Sequence, residues 1–90
     1  MREREIEKYL VQEIKKYSGV CWKWTGTSGA PDRIIFINNR VFFVELKNEK
    51  GTVSPLQKLI HRKMANLGFI VHVLNSKEAV DKFIMEEITC

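Results

Sequence analysis

The sequence predicts an α/β fold: a small mixed β-sheet flanked by helices, in the order α-β-β-β-α-β-α. Three observations carry this. Apolar residues recur at helical spacing near the start, two β-rich runs meet at Asn38-Asn39, and a Ser54-Pro55 helix start precedes a last apolar run ending at Leu74. A hairpin followed by a helical crossover to another strand makes the sheet mixed, with helices expected on both faces.

In chain order, Glu3 to Tyr17 forms an amphipathic helix because Ile6, Leu10 and Ile14 recur every four residues, with Tyr9, Val11 and Tyr17 widening the stripe. Ser18-Gly19 ends it. Val20 to Trp24 is a short strand with Cys21 and Lys23 on one face and Val20, Trp22 and Trp24 on the other. The tryptophans are assigned to the core or to a dimer interface. Thr25 to Ala30 is a loop of small residues whose backbone N–H groups and hydroxyls, that of Ser28 among them, allow close approach of a phosphate. It matches neither a P-loop nor a dinucleotide fingerprint. Pro31 fixes φ ahead of Asp32, and Arg33, on the opposite face, suits a phosphate or an acid.

Arg33 to Ile37 and Val41 to Leu46 are the hairpin strands, joined by an Asn-Asn pair suited to positive φ. Ile34, Phe36, Val41 and Phe43 line one side, and Ile35, Ile37, Phe42 and Val44 the other, a pattern of strands covered on both faces. Ser54, Pro55 and Gln57 make a capping box that starts a helix running to about Leu67, with Gly68 as its stop. Its expected buried stripe is Leu56, Leu59, Ile60, Met64 and Leu67. Lys58, His61, Arg62 and Lys63 then fall on polar sides, and Lys58 and Arg62 are candidate contacts to a nucleic-acid backbone. Phe69 to Leu74 is a strand, and Ser76 caps a final helix through about Ile88 with Ala79, Val80, Phe83 and Ile84 inward.

Ninety residues describe one domain, 1–90, with a single modest core that dimerisation would supplement. Fifteen basic against eleven acidic side chains, a formal charge of +4, mildly favour a polyanionic partner. The two cysteines, Cys21 and Cys90, have no metal-ligand spacing, so a reducing cytoplasm, nucleoid included, is the expected location. Met1 to Glu5 lacks the apolar core of a secretion signal, and no apolar run approaches the ~18 residues of a membrane span, so neither secretion nor membrane insertion is expected.

The chemistry concentrates at one end of the hairpin. With Asn38 and Asn39 as the loop, Ile37 pairs with Arg40, and counting outward sets Asp32 opposite Glu45. Lys47, two residues beyond Glu45, returns to the same face. Facing carboxylates with Cα atoms roughly 4.5–5.5 Å apart repel unless a cation lies between them, and a hard divalent ion such as Mg²⁺ answers that need. Charges at frayed hairpin ends are the plain alternative, and the apolar character of both faces argues against it. Glu3 and Glu7 flank Ile6 on the helical stripe, and either is a candidate third carboxylate; the alternative is a pair of solvated acids favoured by the helix dipole.

Pro31-Asp32, a hairpin and Glu45-Leu46-Lys47, preceded by a glutamate-bearing helix, resemble the PD-(D/E)XK nuclease superfamily. More narrowly, Gly29-Ala30-Pro31-Asp32-Arg33, Val44-Glu45-Leu46-Lys47, Ser54-Pro55-Leu56-Gln57 and Leu67-Gly68 followed by a strand resemble a stand-alone VRR-NUC domain over essentially all of the chain. The resemblance implies a restriction-endonuclease-like core and phosphodiester hydrolysis with Mg²⁺ or Mn²⁺. It implies Asp32, Glu45 and the backbone carbonyl of Leu46 as metal ligands, Lys47 beside the attacking water and Gln57 in support. Glu3, Glu5 and Glu7 compete for the first-helix position, and the helical stripe selects Glu3 or Glu7. It further implies a homodimer that cuts branched DNA, four-way (Holliday) junctions in particular. The alternative is a non-catalytic nucleic-acid-binding module that uses the basic helix and the small-residue loop on phosphates.

Overall fold

The computed structural model describes residues 1–90. Its elements are α1 (Glu3–Lys16), β1 (Val20–Lys23), β2 (Arg33–Ile37), β3 (Arg40–Leu46), α2 (Pro55–Asn66), β4 (Val71–Leu74) and α3 (Lys77–Phe83), which continues into a π-helical turn, Ile84–Ile88. The sheet order is β1-β2-β3-β4; the first two pairings are antiparallel and β3–β4 is parallel. This is the expected small mixed sheet flanked by helices.

The hairpin register follows from its turn. Asn38 and Asn39 hold φ of 53° and 62°, the two positive values a type I′ loop requires, and Ile37 pairs with Arg40. Every pair back to Arg33 and Val44 is set by that turn. The crossover from β3 through α2 returns β4 beside β3, pairing Glu45 with Val73 and Leu46 with Leu74.

One sheet face makes the core. Cys21, Ile35, Ile37, Phe42, Val44, Leu46 and Leu74 are buried there beneath Ile6, Leu10 and Ile14 of α1 and Val80, Phe83, Ile84 and Ile88 of the C-terminal helix. Each fully buried aliphatic side chain contributes about 1.5–3 kcal/mol relative to exposure. Gly19 lets the chain pass between α1 and the hairpin, since a Cβ there would sit 2.9 Å from both Ile14 and Ile37 side-chain atoms.

The other face departs from expectation. Trp22 is 61% exposed, and Val20, Phe36, Val41 and Val73 are exposed as well, so away from its acidic end the hairpin is covered on one face only. Neither tryptophan enters the core: Trp22 stacks obliquely on Phe36 and Trp24 on Phe43. α2 lies over this face only at its acidic end and has no fully buried residue; Leu56, Leu59 and Leu67 are exposed, and its inward row is Gln57, Ile60, His61 and Met64. Tyr17 lies just past the end of α1 and is exposed. Phe69 and Ile70 stay outside β4 because Gly68 (φ 95°) closes α2 in a Schellman turn, with Phe69 N–H donating to Met64 O and Gly68 N–H to Ala65 O.

Candidate active site

Asp32 stands just ahead of β2, and backbone bonds tie it on both sides. Trp24 N–H donates to its carbonyl at 3.0 Å, and Leu46 N–H donates to its Oδ2 at 2.8 Å. The register that pairs Arg33 with Val44 places Asp32 beside Glu45. Lys47 N–H donates to Leu74 O at 3.1 Å, which extends the parallel ladder and returns the Lys47 side chain to the Glu45 face. Its Nζ lies 3.4 Å from Glu45 Oε2.

Glu45 is the one buried charged residue, at 1% exposure. Gln57 Nε2 donates to its Oε2 at 2.9 Å. The same Gln57 amide completes the capping box, its Oε1 accepting from Ser54 N–H at 2.9 Å while Ser54 Oγ accepts from Gln57 N–H at 3.2 Å. Helix initiation and the grip on Glu45 are therefore one device. Burial first, and the neighbouring charge of Asp32 second, push the Glu45 carboxyl up to about 7 against the opposing pull of Lys47.

His61 joins this group, although it was expected on a polar side of the helix. It lies one turn beyond Gln57, the spacing that brings two side chains to one helical face, and its Nε2 is 3.7 Å from Glu45 Oε1. Burial and the Lys47 charge lower its pKa, with Asp32 pulling the other way. The sequence signal was that i, i+4 relation, masked by reading the inward face from apolar residues alone.

The first-helix acids lie across a cleft of about 260 Å³ lined by Glu3, Glu7, Lys23, Trp24, Thr25, Asp32 and Leu46. Both candidates thus face Asp32 from α1. Glu7 Oε2 accepts from Arg33 Nε at 2.8 Å, and Arg33 Nη1 donates to Cys21 O at 3.0 Å. Of the two partners expected for Arg33, the structure gives it the acid. Ser28, Lys58 and Arg62 are exposed. The Ser28 loop packs on α2, since a Cβ on Gly29 (φ 79°) would lie 2.8 Å from Ile60 and 3.0 Å from Leu56 side-chain atoms.

No three His, Cys, Asp or Glu side chains cluster closely enough to hold a metal by themselves. The oxygen donors present nonetheless fit a hard divalent cation, because one or two carboxylates completed by water and substrate oxygens are the usual protein share of such a site. Glu45 Oε1, buried and without a hydrogen-bond partner, is a donor of that kind beside a second carboxylate.

Comparison with known proteins places this arrangement. No family model matches the chain. It is 37% identical over 81 residues to "Putative nuclease p44" of Acyrthosiphon pisum secondary endosymbiont phage 1, with 87% of each chain covered. A solved structure described as a VRR_NUC domain aligns with a TM-score of 0.84 at 29% identity, over 94% of this chain and 96% of that one. A paired Asp and Glu at a sheet end, a lysine two residues on and a helix glutamine holding the glutamate thus sit in a fold and a sequence both shared with such proteins, and the chain belongs to the VRR-NUC nuclease family.

Proposed function

We propose that this protein is a metal-dependent, structure-specific DNA endonuclease that hydrolyses phosphodiester bonds and cuts four-way junctions as a homodimer. The observation that carries the reading is the solvent-excluded Glu45 beside Asp32, with Lys47 3.4 Å away and Gln57 fixing the carboxylate. Kinship with a phage protein named as a nuclease supports DNA as the substrate.

Asp32, Glu45 and the backbone carbonyl of Leu46 would hold Mg²⁺ or Mn²⁺, with Glu3 or Glu7 contributing from across the cleft. When bound, the cation supplies positive charge at the scissile phosphate and makes water a better nucleophile there. Lys47 donates from Nζ to the attacking water, orients it and stabilises the negative charge that develops on the phosphate. Gln57 stops the Glu45 carboxylate from rotating. The Ser28 loop, Lys58 and Arg62 bind flanking phosphates, positioning the strand without reading its bases. The homodimer reading is supported by the exposed apolar sheet face, which a second copy would cover while pairing two sites at fixed spacing.

End-labelled single-stranded, duplex, flap and four-way DNAs incubated with Mg²⁺, Mn²⁺ or EDTA test this. Symmetric cuts in the four-way substrate, absent in EDTA, are expected, and Glu45→Gln or Lys47→Ala should slow them by at least about a hundredfold. Binding that survives EDTA with no products in either metal would make the protein a nucleic-acid-binding module instead.

A further inference from the structure

Two buried polar atoms face each other with nothing between them. Glu45 Oε1 and His61 Nε2 both lack a hydrogen-bond partner, and they are 3.7 Å apart. That distance exceeds a hydrogen bond, and it leaves no room for a bridging water, which holds its two partners more than ~4 Å apart. The other oxygen is already engaged, since Oε2 takes Gln57 Nε2 at 2.9 Å and lies 3.4 Å from Lys47 Nζ. A carboxylate oxygen has two lone pairs, so Oε1 can serve a cation and still accept one N–H. His61 Nε2 is fully enclosed and cannot reach DNA. Gln57 and His61 stand on consecutive turns of α2, so one helix aims two donors at the two oxygens of one carboxylate.

We infer that His61 is a positioning residue whose Nε2–H donates to Glu45 Oε1, clamping the carboxylate opposite Gln57 and presenting its remaining lone pairs to the divalent cation. The move required is small: from 3.7 Å to the ordinary N–H···O distance of ~2.9 Å. Outer partners of this kind hold a ligand's orientation, and their loss typically weakens metal binding about 10–100-fold. The inference rests on the metal-dependent reading above.

Two measurements on the full chain without DNA test it. In long-range ¹H–¹⁵N spectra of the wild type with Mg²⁺, His61 should carry its proton on Nε2, and that resonance should shift in Glu45→Gln; an unprotonated Nε2 overturns the inference. In Mn²⁺ calorimetry, His61→Phe, which fills the space without donating, should bind about 10–100-fold more weakly. His61→Gln, whose amide can donate, should recover most of the loss. Wild-type affinity in His61→Phe, or His61→Gln as weak as His61→Phe, rejects the clamp. Glu45→Gln is the reference: if it and the wild type bind Mn²⁺ alike, the metal reading falls and His61's role with it. If Glu45→Gln weakens binding while His61→Phe does not, His61 alone is removed from the site. Should His61→Phe fail to fold, the proton position and His61→Gln still decide.

Discussion

A carboxylate that is 1% exposed and sits against another carboxylate weakens the fold that holds it. One lysine at 3.4 Å and one amide at 2.9 Å do not restore what hydration supplied. Glu45→Gln keeps the shape, removes the charge and can donate toward Asp32. In EDTA at pH 8 it should therefore raise stability by about 1 kcal/mol, or roughly 4–8 °C in midpoint for a domain of this size, while in Mg²⁺ or Mn²⁺ it removes cleavage. A lowered midpoint in thermal denaturation would mean that the contacts from Lys47 and Gln57 outweigh the burial cost. At this scale much of the site could be read in advance. The Asn-Asn turn sets the count that brings Asp32 to Glu45, and period two returns Lys47 to their side. His61 escaped because the inward face of its helix is seated on a partly polar site, which apolar periodicity does not report. Arg33 was ambiguous for a related reason: whether a guanidinium meets an acid or a phosphate depends on a helix distant in sequence.

α2 begins and acts through the same side chain. Ser54 Oγ accepts from the Gln57 backbone N–H at 3.2 Å, Ser54 N–H donates to Gln57 Oε1 at 2.9 Å, and Nε2 of the same amide donates to Glu45. Ser54→Ala should cost about 1 kcal/mol as a lost N-cap. It should also lower kcat more than KM, because the first turn that carries Gln57 loosens when its backbone N–H loses Ser54 Oγ, while the Ser54 N–H bond to Gln57 Oε1 and the phosphate-binding residues stay in place; unchanged kcat in an equally destabilised variant would separate cap from site. β4 offers a pH test. His72 is packed edgewise between Phe42 and Phe83, and burial lowers its pKa below the ordinary value while Glu87 raises it and Arg40 lowers it further. The unfolded chain then takes up the proton first as pH falls, so the neutral ring's contribution is complete above about 6.5 and is lost below it. In urea titrations His72→Leu should lose less stability than the wild type between pH 7.5 and pH 5, and parallel curves would count against this. Element types and order were legible because capping, turn and periodicity signals agree at each one. The start of β4 was not, because Gly68, legible as the stop of α2, also draws Phe69 into the Schellman turn and so out of the strand.

Across the whole molecule the two sheet faces have unequal fates. The chain carries three helices; α1 and α3 cover one face, and α2 is held at the acidic end by Gln57 and His61. Alternating apolar residues read as two covered faces, and a single sequence does not say whether the second cover comes from the same chain. Trp22, Phe36, Val41 and Val73 form the open area, continued by Phe69 and Ile70. A contiguous apolar surface of that kind marks an association site. A self-complementary patch about a two-fold axis is the simplest arrangement for one chain, and a stable dimer needs about 800 Å² from each copy. On the homodimer reading, the wild type should sediment at twice 10.5 kDa. Trp22→Arg, which places a charge where the aromatic pair with Phe36 would be covered, should shift the population to monomer while leaving the thermal midpoint of the dilute monomer nearly unchanged, because Trp22 is 61% exposed there. The monomer should still nick DNA, since Asp32, Glu45, Lys47 and Gln57 all come from one chain. It should lose paired, symmetric cuts in a four-way junction, which need two sites held together. A wild type that sediments as a monomer and still makes paired cuts would remove the dimer from the mechanism and leave the open face to a different partner.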